Sequence, residues 1–112
     1  MPLSYTKTEN VIVIYPTGRL DLEQSAFLGR EIENLLSAES ESNFLINMAG
    51  VDYINSYGLR IIIKTYMDLR EKGRILAICS INNAIRKLLD VIGRTEMFEV
   101  FNSESDGVDY LR

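Results

Sequence analysis

Residues 44–79, FLINMAGVDYINSYGLRIIIKTYMDLREKGRILAIC, decide how the chain folds. Phe44-Leu45-Ile46-Asn47-Met48 is a short apolar run bounded by turn signals, which predicts a buried strand. Ala49 to Ile54 reads as a loop. Ser56 to Lys72 is the strongest helical pattern in the chain, with Leu59, Ile62, Ile63 and Tyr66 at i, i+3, i+4 and i+7. Arg70 and Lys72 suit the negative end of that helix dipole, and Gly73 is the expected residue just past its end. Ile75-Leu76-Ala77-Ile78-Cys79 is a second buried strand. A strand, a helix and a strand in this order argue for a parallel pair with a crossover helix.

The same reading extends in both directions. Upstream, Leu3 to Tyr15 forms two strands broken at Glu9-Asn10, and β-branched Val11-Ile12-Val13-Ile14-Tyr15 is the more central of them. Pro16-Thr17-Gly18 ends that strand. Leu20-Asp21-Leu22-Glu23-Gln24 opens a helix with Asp21 as N-cap and Gln24 in the capping-box position. Leu28, Ile32 and Leu35 give that helix its apolar face, and Gly29 weakens it by about 1 kcal/mol relative to Ala. Ser37 to Asn43 is a polar loop. Downstream, Asn82 or Asn83 caps a helix whose face is Ile85, Leu88, Leu89 and Ile92, closed by Gly93. Phe98 to Phe101 is a last short strand, and Ser103 caps a terminal helix bearing Val108 and Leu111. The order β-β-α-β-α-β-α-β-α predicts an α/β fold. It has a mixed sheet of about five strands with a mostly parallel core, and about four helices pack on it.

Composition sets the limits on function. The 112 residues are 46% hydrophobic and 25% charged, which suits one soluble globular domain spanning 1–112. A chain of this size buries roughly 65% of its unfolded surface, enough for one core. Twelve Lys+Arg against 16 Asp+Glu leave a net charge of −4, which argues against direct nucleic-acid binding. The absence of His excludes Ser-His-Asp and Cys-His nucleophile systems and His-ligated metals. The single cysteine, Cys79, excludes an intrachain disulfide and a Cys-cluster metal site; a free Cys fits a reducing cytosol. No signal peptide is visible. The longest apolar runs fall far short of the ~20 residues of a membrane helix, so the expected compartment is the cytoplasm, without membrane attachment.

No Gly-rich phosphate loop and no evident acid–base pair occur, so the chain reads as a binding or switching module without cofactor or metal, not an enzyme. Asp52 reads as a solvated loop charge. Cys79 reads as a small buried apolar residue, and Met48, Met67 and Met97 as core fillers.

One segment, Tyr53-Ile54-Asn55-Ser56-Tyr57-Gly58-Leu59, resembles the signature loop of the STAS domain, the fold of bacterial anti-sigma-factor antagonists. Three further stretches resemble the family in the same order. Gly18-Arg19-Leu20-Asp21 is similar to its Gly-x-Leu-Asp turn, and Phe44 to Met48 to its strand ending in Asp or Asn. Ala77 to Ile81 followed by Ile85 to Leu89 is similar to the strand–helix pair after its signature loop. The resemblance runs from about residue 5 to the C-terminus.

What it implies is a phosphorylation-switched partner-binding protein. Ser56 stands where the family carries its phosphoacceptor. The unphosphorylated form would bind an anti-sigma factor with serine kinase activity and release the sigma factor. A serine phosphatase would reset the switch. Asp21, Asn55, Tyr57, Gly58 and Arg60 are the implied partner-binding positions. By helix spacing Arg60 lies one turn after Ser56 and could pair with a phosphate, but it reads first as an exposed helix Arg. Ser56 and Asp21 also read as plain helix caps. Asn55 can take the cap of the second helix, leaving the Ser56 hydroxyl free. Tyr57 departs from the small residue usual in the family and reads equally as a partner anchor or as a ring packed on its own loop. Two other readings remain open at this level. One is a STAS subunit without a phosphoswitch, in a lipid-transport ABC complex or a stress-sensing assembly. The other is a small nucleotide-binding domain or enzyme.

Overall fold

Apolar runs fix the centre of the sheet, and polar turns fix its order. The computed structural model describes residues 3–91 and 97–112. Its elements are β1 (Ser4–Thr8), β2 (Val11–Tyr15), β3 (Gly18–Leu20), α1 (Leu22–Ala38), β4 (Asn43–Asn47), β5 (Val51–Ile54), α2 (Ser56–Glu71), β6 (Leu76–Cys79), α3 (Asn83–Val91), β7 (Glu99–Phe101) and α4 (Glu104–Leu111). Five strands form one sheet in the order β1-β2-β4-β6-β7. Only β1 and β2 run antiparallel; the other three pairs are parallel. The mixed sheet with a parallel core and four helices is as the sequence predicts. The Glu9-Asn10 turn is also where expected, with Glu9 in the left-handed region at φ 55°.

Alternation along each strand divides the core into two layers. Ile12 and Ile14, Phe44 and Ile46, and Leu76 and Ile78 face α1, α2 and α3. Val11 and Val13, Leu45, and Ala77 and Cys79 face the other way, toward Leu111 of α4. Strands covered on both faces must be apolar at every position, which is why β2, β4 and β6 read as continuous runs. Cys79 is fully buried, and burial pushes its thiol pKa up, so it is a packing residue rather than a reactive thiolate.

Two asparagines at the ends of β4 hold α4 on the sheet. Asn43 Nδ2 donates to the Leu111 carbonyl at 2.8 Å, and Asn47 Nδ2 donates to Glu104 Oε1 at 3.1 Å. Ser103 caps α4 as expected, accepting from the Asp106 N–H. Asn82, not Asn83, caps α3, accepting from Ile85 N at 2.8 Å. Ile92 and Gly93, the expected end of α3, lie outside the described residues.

Three expectations need correction. First, Ala49 to Ile54 is not all loop, and Gly18 to Leu20 is not a strand end running into a helix. Val51–Ile54 and Gly18–Leu20 pair in parallel as a separate two-stranded sheet. Second, Met67 is 54% exposed and fills no core, because it lies on the outer face of α2. Third, the buried face of α2 is Gly58, Ile62, Thr65 and Leu69, while Leu59, Ile63 and Tyr66 flank it and are only partly buried. Thr65 enters that face because its hydroxyl donates to the Ile61 carbonyl at 2.8 Å, which removes its polar cost.

The helix-weakening Gly29 has a packing reason. A Cβ there would lie 2.9 Å from Ile61 Cδ1 of α2. That atom is the movable end of a side chain, and alanine would gain about 1 kcal/mol of helix propensity. Gly29→Ala is therefore expected to unfold within about 1 kcal/mol of the natural protein in a urea titration. A loss above about 2 kcal/mol would show that the α1–α2 contact does not yield.

Candidate functional site

The small β3–β5 sheet brings the starts of two helices together. In its register Leu20 pairs with Ile54, and each strand runs within two residues into a helix. The Asn55 N–H donates to the Leu20 carbonyl at 3.4 Å, tying the two junctions.

Each helix start has its own cap. Asp21 Oδ1 accepts from Gln24 N at 3.2 Å. The Gln24 side chain makes no hydrogen bond among the described residues, so the capping box is half-formed. Asn55 Oδ1 accepts from Tyr57 N at 3.0 Å, and the Asn55 carbonyl receives the first intrahelical bond, from Leu59 N. Asn55 therefore takes the N-cap that Ser56 could have filled. Ser56 becomes the first helical residue, exposed, with its hydroxyl unbonded among the described residues.

Gly58 is buried directly under this surface. A Cβ there would sit 2.7 Å from Ile54 Cγ1, 2.9 Å from Leu20 Cβ and 3.0 Å from the Leu20 carbonyl oxygen. Glycine is what lets α2 start this close to β3. Gly58 thus shapes the site from below and is not itself a contact surface.

The outer surface is aromatic, apolar and cationic. Leu22, Tyr53 and Tyr57 are all exposed. The Arg19 guanidinium lies 4.1 Å from the centroid of the Tyr53 ring, its cross-strand register partner. The Arg60 guanidinium lies 5.9 Å from the Tyr57 ring one turn back on α2. The structure thus brings Asp21, Asn55, Ser56, Tyr57 and Arg60 to one end of the α1–α2 layer. Tyr57 is partly exposed, at 42%.

Sequence reading missed Arg19, Leu22 and Tyr53. Alternation gave no usable signal: β3 has only three residues, and in β5 buried Val51 and Ile54 flank two exposed residues, Asp52 and Tyr53. Asp52 accordingly sits on a strand rather than in a loop.

No cluster of three or more metal-binding side chains occurs among the described residues, and no described helix is long and apolar enough to cross a membrane. The arrangement offers the unbonded Ser56 hydroxyl, large exposed rings and ring-facing guanidinium groups beside two helix starts. Those are the materials of a protein-recognition surface, where aromatic and Arg residues contribute most of the binding energy.

Known proteins share this fold. The chain is 21% identical over 101 residues to the anti-sigma F factor antagonist of Paenibacillus polymyxa, covering 90% of this chain and 86% of that one. The crystal structure of an anti-sigma factor antagonist from Mycobacterium paratuberculosis superposes with a TM-score of 0.88 at 21% identity, covering 98% of this chain and 92% of that one. The structure of the Bacillus cell fate determinant SpoIIAA in its phosphorylated form superposes with a TM-score of 0.77 at 15% identity, covering 98% and 99% of the two chains. The sequence matches the STAS domain family over residues 3–107, and the chain belongs to that family.

Proposed function

We propose that this protein is an anti-sigma factor antagonist. Its unmodified form binds an anti-sigma factor that is also a serine kinase, through the paired starts of α1 and α2, and so frees a sigma factor. Phosphate on Ser56 ends that binding, and a serine phosphatase restores it. The setting is the cytoplasm. The name of the Paenibacillus relative supports the antagonist role, and the phosphorylated SpoIIAA structure supports a fold that accommodates phosphate.

The observation that carries the reading is the division of labour between Asn55 and Ser56. Because Asn55 caps α2, the Ser56 hydroxyl is exposed and free of structural duty. A phosphate there lies at the positive end of a helix dipole, so the fold tolerates it. Asp21, Tyr57 and Arg60, at the same end of the α1–α2 layer, serve as partner contacts, with Gly58 as their base.

The test is a pair of substitutions against the purified anti-sigma kinase of the same organism. Ser56→Ala should bind it as tightly as the natural protein and take no phosphate from it. Ser56→Glu should bind about tenfold more weakly or worse, since one carboxylate carries only part of a phosphate's charge. A folded Ser56→Ala protein that failed to bind, or that was still phosphorylated at full rate, would sink the proposal.

A further inference from the structure

We propose that Arg60 receives the phosphate of phosphorylated Ser56, and that in doing so it leaves the Tyr57 ring. The inference rests on Ser56 as the modified residue and adds a second moving part to that switch.

The geometry comes from α2 itself. Side chains on an α-helix lean toward its N-terminus, so Arg60 covers the turn before it. The guanidinium is found there, over Tyr57 at i−3. Ser56 is at i−4, on the neighbouring row of the same face. Arg60 is exposed and makes no ion pair among the described residues. The next cation along the helix, Lys64, is already engaged by Asp68 at 3.0 Å and Glu33 at 3.7 Å. On the neighbouring helix start, Asp21 is occupied with the Gln24 N–H. Arg60 is therefore the uncommitted charge of the first two turns of α2.

The two stacked arginines differ in how firmly they are held. Arg19 sits 4.1 Å from the Tyr53 centroid, whereas Arg60 sits 5.9 Å from that of Tyr57, the outer limit for a useful cation–π contact. A charge-assisted, fork-shaped Arg–phosphate bond is stronger than an exposed contact of that length. Phosphorylation thus does two things at once. It adds charge beside the interface, and it strips the cation from an exposed aromatic side chain.

The experiment uses the isolated protein with phosphoserine encoded at position 56, followed by ³¹P NMR across pH. The second ionisation of a free phosphoserine falls near pH 6. In the natural phosphoprotein it should lie at least ~0.3 unit lower than in phosphorylated Arg60→Gln, the size of one exposed i,i+4 ion pair. Arg60→Lys should fall between them. The Tyr57 ring resonances should shift more on phosphorylation in the natural protein than in Arg60→Gln, where only the adjacent phosphate acts on them. Coincident titration curves for the natural and Arg60→Gln phosphoproteins would overturn the inference. No partner takes part in this measurement. Coincident curves therefore remove the Arg60 capture alone, and a partner that binds both forms equally removes the switch alone.

Discussion

Alanine at position 58 should lower stability by about 2 kcal/mol, the usual range for overpacking a tight contact. The new methyl group would fall 2.7 Å from Ile54 Cγ1, which can rotate, but also 2.9 Å from Leu20 Cβ and 3.0 Å from the Leu20 oxygen. The last two are fixed by the β3 backbone, so β3 or the start of α2 must move. The roughly 1 kcal/mol of helix propensity that alanine brings offsets only part of this. For a domain of this length the midpoint of thermal unfolding should drop by roughly 8–10 °C. Gly29→Ala is the matched control, because its Cβ meets only the end of the Ile61 side chain. The displacement at position 58 falls on the site itself, so partner affinity should fall along with stability. A Gly58→Ala protein within about 0.5 kcal/mol of the natural one would mean that the close approach of α2 to Leu20 is not a constraint.

A phosphate on Ser56 should weaken binding to the anti-sigma factor at least 100-fold, about 2.8 kcal/mol. Three effects act in the same direction. The group adds about −1.5 to −2 charges, taking the net charge of −4 to nearly −6. It must lose water in an interface shaped for a hydroxyl, and a buried charge without a partner is costly. The shape at the centre of the contact also changes, next to Tyr57. None of these effects requires the fold to change, because the helix N-terminus favours an anion at that position. Part of the loss should appear as a slower, salt-sensitive association rate if the partner surface is also acidic.

The sequence showed the sheet through its burial pattern. Val11 to Ile14, Phe44 to Ile46 and Leu76 to Cys79 are apolar without interruption because both sides of those strands are covered. Asp21, Asn82, Ser103 and Gly73 marked helix ends through local hydrogen bonding or, for Gly73, a left-handed φ of 72°. What escaped was short or tertiary in origin. β3 has three residues and β5 four, with polar residues inside both, too little for a period-2 pattern to register. Met67 looked like core by residue type and is exposed because α2 buries only one side. Gly58 matched a family motif, but its reason, the Leu20 backbone beneath it, lies 38 residues away in sequence. The free Ser56 hydroxyl was legible because Asn55 stands just before it and caps as well as serine does. Arg19 on Tyr53 was not, because that pairing exists only once β3 and β5 are side by side.

The proposed switch rests on the exposed Ser56 hydroxyl alone. The most direct measurement is a calorimetric titration of the purified anti-sigma kinase with the unmodified protein and with the form carrying encoded phosphoserine at 56. Circular dichroism should first show both forms equally folded. The unmodified protein should bind, and the phosphorylated one should bind at least 100-fold more weakly. Equal affinities for the two folded forms would contradict the proposed switch.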